Sequence, residues 1–240
     1  MYKGYYFTAI ILAGGSGKRM KSNIAKQFIC LHGRPMVYYS LRAFAESPVD
    51  SIVLVTSKEH LEFCQKEIVD KYKIPKVINI LSGGKERYHS SIHGVLASPQ
   101  DSDYLLIHDS ARPCITKELI MNCMESVVKQ GNGTTAVKAV DTTCQVDEEG
   151  RIIHIPNRNH LWSIQTPQCF KYKDIKKAHE RLMKQESVMS KAEKEAITDD
   201  VAVVRNFLKK EVYVFEGSYD NIKVTNPVDV AKAEETLKKQ

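Results

Sequence analysis

A chain of 240 residues with 42% hydrophobic and 27% charged side chains has the make-up of a soluble globular protein that buries its own core. Its formal charge of +6, from 35 basic and 29 acidic residues, is spread along the chain with no aromatic-plus-basic module; this argues against a nucleic-acid binder and suits an enzyme of phosphorylated anions. Six cysteines without a C-x-x-C pair exclude a zinc knuckle or dithiol motif, and no apolar run approaches the roughly 18 residues of a membrane span.

The first apolar run, within MYKGYYFTAIILAGG, is short and passes into glycines and basic residues, unlike a signal peptide. A cytoplasmic protein with no membrane partner is expected. Strands are predicted at 7–13, 51–56, 76–81, 103–109, 134–140 and 211–216. Their Ile, Val, Leu and Tyr do not alternate strictly with polar residues, as in strands buried on both faces. Helical patterns fall between them near 36–46, 58–72, 87–97, 116–130, 171–185 and 227–239. This β-then-α order predicts an α/β fold, a mostly parallel twisted sheet with helices on both faces, in one domain over 1–240. Ligands of such sheets bind beyond the strand C-termini. Residues 141–165 break the rhythm: DEEG lies between two extended runs, so a protruding β-hairpin arm is predicted, with Ile152, Ile153 and Ile155 in need of burial. Residues 186–198 are polar and read as a mobile loop.

The first strand runs into Leu12-Ala13-Gly14-Gly15-Ser16-Gly17-Lys18-Arg19-Met20. Glycines let a backbone approach a ligand and aim N–H groups at phosphate. A P-loop would need Ser or Thr at position 19, and a dinucleotide fingerprint a third glycine at position 20, so both motifs fail. What remains is a glycine loop with Lys18, Arg19 and, farther on, Lys26, against the plainer alternative of a turn with solvated charges. Gly83-Gly84-Lys85-Glu86-Arg87 precedes a helix carrying Ser90, which reads equally as a ligand loop or an αL turn with a cap. His89 and His93 stand at i, i+4 without a third ligand nearby, so surface histidines are favoured over a metal pair. The strand DYLLIHD ends in Asp109, followed by Arg112. A strand-end carboxylate suits magnesium, which takes one or two carboxylates plus substrate phosphates, and the guanidinium fork suits a phosphate. Asp141-Thr142, Arg158, Gln165-Thr166-Pro167-Gln168, Thr198-Asp199-Asp200 and Asn221-Ile222-Lys223 each also read as turns, caps or sheet-edge charges.

In this order the set resembles the 2-C-methyl-D-erythritol 4-phosphate cytidylyltransferases of the non-mevalonate isoprenoid pathway, over residues 7 to 237. It is also similar to the sister family of ribitol-5-phosphate cytidylyltransferases. The resemblance implies a Rossmann-like nucleotidyltransferase fold, CTP and a polyol phosphate as substrates, magnesium as cofactor, and a homodimer in which the arm is exchanged. It implies that Arg19, Lys26 and Lys223 are catalytic cations on the CTP phosphates. Ala13, Gly14, Gly15, Gly17, Gly84 and Ser90 would seat the nucleotide, and Asp109 the ribose and metal side. Arg112, Thr142, Arg158 and Thr166 would hold the acceptor phosphate, with Arg158 serving the neighbouring subunit's site. His108-Asp109-Ser110-Ala111-Arg112-Pro113-Cys114, Gly83-Gly84-Lys85-Glu86-Arg87, Leu161-Trp162 and Ile197-Thr198-Asp199-Asp200 look like the methylerythritol enzymes. Leu12 to Gly15, Ala139 to Thr142 and Ile155 to Arg158 look more like the ribitol enzymes. Lys138 and Cys144 stand where the methylerythritol pattern usually has Pro and Lys.

An acceptor phosphate is already anionic, so the expected catalysis is positioning and charge neutralisation rather than strong general base action. The expected product is a CDP-alcohol with pyrophosphate, preferentially from methylerythritol phosphate. Two rival classes are weaker. A basic nucleic-acid binder would not need Asp109, and a nicotinamide-dependent reductase lacks both the third glycine and a ribose-binding acid after the second strand.

Overall fold

Strand β1 (Phe7–Ala13) is buried along its whole length and forms the spine of a seven-stranded sheet. The structure, a computed structural model, describes residues 1–15 and 25–240. Gly17 and Arg19, singled out in the glycine loop, lie outside the described residues. After β1 come a small antiparallel pair, β2 (Cys30–Leu31) and β3 (Arg34–Pro35), and helix α1 (Met36–Glu46). Strand β4 (Ser51–Thr56), the short α2 (Leu61–Phe63) running into a π-helical stretch Cys64–Asp70, and β5 (Val77–Ser82) follow. Then come α3 (Arg87–Ala97), β6 (Tyr104–Asp109), α4 (Lys117–Gln130) and β7 (Gly133–Lys138). The arm holds β8 (Gln145–Val146) and β9 (Ile152–His154). The chain closes with β10 (Trp162–Lys171), α5 (Tyr172–Gln185), α6 (Lys191–Glu195), α7 (Asp200–Val203), β11 (Tyr213–Glu216) and α8 (Pro227–Leu237).

The sheet order is β11-β7-β10-β6-β1-β4-β5. All its pairings are parallel except those of β10, which runs antiparallel to both β6 and β7. The unalternating apolar strands feed two cores. Phe7, Ala9 and Ile11 face a layer built by α1 and α4, with Leu41, Phe44, Ile120 and Met124 buried there. Ile10 and Leu12 face α3 and α5, against Val95, Ile175 and Leu182. A third cluster joins Leu31 and Met36 to Cys114, Val224 and Ala233, which fixes α8 and the segment before it.

Most predicted elements stand within a residue or two of their expected bounds, and three differ. Strand β10 takes in Trp162–Gln165, which the sequence reading gave to the arm. The hairpin proper is the short β8/β9 pair closed by Asp147 to Gly150, where Gly150 has φ +82°. Helix α7 was not anticipated. The polar stretch 186–198, expected as a mobile loop, contains a 3-10 turn at Glu186–Val188 and helix α6. Its Ser190 and Glu193 form a reciprocal capping box that satisfies the first free N–H groups of α6.

Candidate active site

The parallel register brings the C-terminal ends of three strands together. Leu12 is level with Asp109, and Ala13 with Thr56. Beyond this edge lies a cavity of about 370 Å³ lined by Ala13, Gly14, Gly15, Lys26, Gly84, Ser90, Asp109 and Lys223, among others. Close approach explains the glycines here. A Cβ on Gly84 would come within 2.4 Å of His89 Cβ, and one on Gly83 within 2.4 Å of Ser90 Oγ. The Gly84 N–H donates to Ser90 Oγ at 3.2 Å, so the loop is tied to the first turns of α3. Glu86 and His89 cap that helix reciprocally, and His89 Nε2 is 2.9 Å from Glu186 Oε1. His93 Nδ1 is 2.9 Å from the Ser82 carbonyl. The two histidines thus bond different partners. Lys26 opens a 3-10 turn whose Phe28 ring packs on His60 and Phe63, with centroids 4.8 and 4.9 Å away.

A second cavity of about 410 Å³ adjoins the first and contains Arg112, Trp162, Thr166, Gln168 and Asp199. The two share Arg87, Asp109 and Lys223. The pairing of β10 shifts register between Ile164 and Gln168, which releases Gln165 and Thr166 from the regular ladder. Thr166 Oγ1 accepts the Asp109 N–H at 3.2 Å and lies 3.0 Å from His108 Nδ1. Burial pushes His108 down to about 4, so its ring is neutral near pH 7. Nδ1 then accepts the Thr166 hydroxyl, while Nε2–H donates to the Arg112 carbonyl at 3.2 Å. Arg112 is itself buried, its Nη1 donating to the Asn221 carbonyl at 2.7 Å. Its Nη2 donates to the Ile164 carbonyl at 3.4 Å, and its Nε is a buried donor with no partner among the described residues.

The shared boundary is a row of alternating charges. Lys223 Nζ donates to Asp109 Oδ2 at 2.7 Å. Arg87 donates to Asp109 Oδ1 through Nε at 3.2 Å and Nη2 at 3.1 Å, and to Asp200 Oδ2 through Nη1 at 2.7 Å. Burial alone would raise the Asp109 carboxyl, but Arg87 and Lys223 outweigh it and hold the group well below the usual carboxylate range. Lys223 is fixed by its neighbour Val224, buried in the third core and donating its N–H to the Ala111 carbonyl at 2.8 Å. Among the described residues, no group of three or more His, Cys, Asp or Glu could hold a metal ion. Both Asp109 oxygens are taken by cations, Oδ1 by Arg87 and Oδ2 by Lys223, so this lone carboxylate would serve magnesium only in the mode that uses one carboxylate and substrate phosphates, with Lys223 turned away from it.

The sequence model of the 2-C-methyl-D-erythritol 4-phosphate cytidylyltransferase family matches residues 7–239. A Clostridium botulinum (strain 657 / Type Ba4) protein named 2-C-methyl-D-erythritol 4-phosphate cytidylyltransferase is 42% identical over 233 residues, covering 97% of each chain. The chain belongs to this family. A Lachnospira eligens protein of the same name is 42% identical over 224 residues, 93% of this chain and 95% of its own. The crystal structure of 4-diphosphocytidyl-2C-methyl-D-erythritol synthase from Anaerococcus prevotii DSM 20548 superposes with a TM-score of 0.82 at 30% identity, over 98% of this chain and 97% of that one. The named relatives are methylerythritol enzymes, so the ribitol alternative is not favoured. The fold is the Rossmann-like nucleotidyltransferase fold of that family, and the chain is a cytidylyltransferase.

Of the residues singled out in this cytidylyltransferase sequence, Ala13, Gly14, Gly15, Lys26, Gly84, Ser90, Asp109 and Lys223 line the first cavity, and Arg112 and Thr166 the second. Thr142 and Arg158 line neither. Both are exposed on the arm, where Arg158 Nη1 donates to the Val140 carbonyl at 3.2 Å. Three participants went unassigned: Arg87, Gln168 and Asp200. Arg87 was visible within Gly-Gly-Lys-Glu-Arg, and Asp200 within Thr-Asp-Asp. For Arg87 the available signal was that it opens the predicted helix 87–97, where a side chain can point back over the strand ends; for Asp200 and Gln168 there was no such signal, because neither α7 nor β10 was predicted. Among the described residues, no helix is long and apolar enough to cross a membrane.

Proposed function

We propose that the chain transfers CMP from CTP to 2-C-methyl-D-erythritol 4-phosphate and releases pyrophosphate, in the methylerythritol branch of isoprenoid precursor synthesis. The observation that carries this reading is the pair of adjoining cavities that share Arg87, Asp109 and Lys223. One has the glycine-lined wall that admits a nucleotide, the other a buried guanidinium for the acceptor phosphate. Two polyanions that react must meet at a boundary able to neutralise them.

In this reading Ala13, Gly14, Gly15, Gly84 and Ser90 seat the nucleotide, Lys26 and Lys223 hold its phosphates, and Arg19 and Gly17 join them from the glycine loop. Arg112 and Thr166 orient the acceptor phosphate. One of its oxygens attacks the α-phosphorus, the bond from that phosphorus to the β-phosphate bridging oxygen breaks, and pyrophosphate leaves with the electron pair. The acceptor needs no deprotonation, so the residues position and neutralise rather than move protons. Asp109 would hold a magnesium ion that supplies further neutralisation of the phosphates. Lys223 is the nearest cation to that carboxylate and would turn to the α-phosphate as the nucleotide enters.

The arm supports a homodimer. Ile152, Ile153 and Ile155 are 62%, 58% and 57% exposed in one chain, and Val146 is exposed with them. A second copy that covers this stripe would also receive Thr142 and Arg158 near its acceptor cavity. The deciding experiment measures pyrophosphate release from CTP with methylerythritol phosphate and with ribitol 5-phosphate in parallel. The reading expects the higher kcat/KM for the methylerythritol acceptor; a higher value for ribitol 5-phosphate would overturn it.

A further inference from the structure

Asp200 is fully buried, yet it lines neither cavity. Four groups converge on it. Its Oδ1 accepts from Ser91 Oγ and lies 3.2 Å from His179 Nε2, and its Oδ2 accepts from Arg87 Nη1 at 2.7 Å. Its own N–H donates to Gln168 Oε1 at 2.9 Å. Gln168 returns a bond through Nε2 to Asp199 Oδ2 at 3.0 Å, which ties the start of α7 to β10. His179 is also fully buried, and its Nδ1 has no partner among the described residues.

The geometry of Arg87 is the informative part. An isolated guanidinium facing a carboxylate favours the two-oxygen fork, with parallel bonds to both oxygens. Here Nε and Nη2 both reach the same oxygen of Asp109, Oδ1, and Oδ2 is left to Lys223. The remaining terminal nitrogen, Nη1, is held by Asp200. Arg87 and Ser91 stand one helical turn apart on α3, so the helix presents both to the same buried carboxylate.

We infer that Asp200 is a positioning residue for the cytidylyl transfer: it turns Arg87 so that only Oδ1 of Asp109 is engaged and Oδ2 stays directed at the boundary where the phosphates meet. The inference rests on the proposed reaction. Without the Asp200 anchor, Arg87 swings onto both oxygens of Asp109, Lys223 loses its partner, and the carboxylate is withdrawn from the reacting groups. Nucleotide binding persists, because the glycine wall and Lys26 are untouched.

The test uses the full chain with CTP, methylerythritol phosphate and magnesium. The unaltered protein is assayed first; if it does not turn over, the proposed reaction fails and the inference is not what has failed. With activity in hand, Asp200→Asn is expected to lower kcat per folded protein by about 10–100-fold, while the calorimetric Kd for CTP changes by less than about threefold. Its crystal structure should show Arg87 on both oxygens of Asp109. Adding Asp200→Asn to an Arg87→Gln background should cost no further activity beyond about twofold, because the two residues act as one unit. Losses that multiply in the double variant, an unaltered kcat, or a one-oxygen contact retained in the variant would each overturn the inference. Should Asp200→Asn fold poorly, Ser91→Ala keeps the carboxylate and removes one of its anchors. It should lower kcat by a smaller factor in the parent protein and by none in the Arg87→Gln background; a loss of the same factor in both backgrounds overturns the inference.

Discussion

Lys223 Nζ and Asp109 Oδ2 stand 2.7 Å apart although 114 positions separate them in the chain. Asp109 comes from the end of a central parallel strand, and Lys223 from the segment that α8 pins against the third core. The pair closes the boundary between the two cavities, so Asp109→Asn tests that boundary with little change of shape. Arg87 retains Asp200 as a partner, which protects the fold. The variant should keep its unfolding midpoint within a few degrees and lose about 10²–10³ in kcat, the scale of removing one preorganised charge from a reacting centre. Near-normal pyrophosphate release by Asp109→Asn would rule out the placement of the reaction at this boundary.

Metal removal gives a second check. A site built on one carboxylate and substrate phosphates holds magnesium weakly before the nucleotide arrives. Excess EDTA should therefore abolish pyrophosphate release, and added magnesium should restore it without refolding. Turnover that continues in chelator would remove the metal from the proposed role of Asp109.

Gly84 separates a ligand wall from an ordinary turn. A Cβ there meets His89 Cβ at 2.4 Å and its Cα at 3.5 Å, so the loop must move away from α3. Gly84→Ala should cost roughly 1–3 kcal/mol of stability by overpacking. It should also raise KM for CTP more than KM for the acceptor. Equal effects on both substrates would mean that this wall does not face the nucleotide.

The sheet was legible because its strands are apolar without alternation, and the site because glycines and charges sit where those strands end. What escaped has a common physical cause. Strand β10 carries Gln165, Thr166 and Gln168 in its middle, so it does not read as a buried strand. Those polar groups are satisfied inside, Thr166 by Asp109 and His108 and Gln168 by the start of α7. Asp200 reads as a surface cap in sequence, and only the three-dimensional arrangement reveals Arg87, Ser91 and His179 around it. Thr142 and Arg158 could be picked out by their motifs, but a single chain leaves them on an exposed arm. Their partners are not encoded locally.

Acid stability should report the buried Asp200. Burial pushes its carboxyl up, but Arg87, His179 and Ser91 outweigh this and hold it well below the usual carboxylate range. The sign follows from a folded value below the unfolded one, about 3.9. Its stabilisation is complete above about pH 4 to 5 and is lost as pH falls further toward the folded value. Asp200→Asn should thus cost about 3–5 kcal/mol at pH 7, as for one partner of a buried ion pair. The gap between variant and parent should narrow at pH 3, measured by urea unfolding at both values. A gap that stays constant with pH would show that the carboxylate carries no such linkage.

Arg158 tests the second copy. It is exposed, it follows the apolar stripe Ile152, Ile153 and Ile155, and it lines neither cavity of its own chain. A guanidinium fork suits a dianionic phosphate, and a Lys would supply the charge without the two-bond geometry. If the arm reaches a neighbouring subunit, Arg158→Ala should raise KM for the acceptor by the equivalent of about 2 kcal/mol and leave CTP binding nearly intact. Mixed dimers separate the two subunits. Pairing an Arg158→Ala chain with a Lys26→Ala chain puts both lesions in one site and neither in the other when Arg158 serves the partner. Activity of the mixed dimers should then recover toward half that of the parent protein, although each variant alone is poor. If Arg158 works within its own subunit, every site in the mixed dimer carries one lesion and no recovery occurs. Sedimentation of the mixture, showing dimers in both cases, makes a lack of recovery decisive against the exchanged arm.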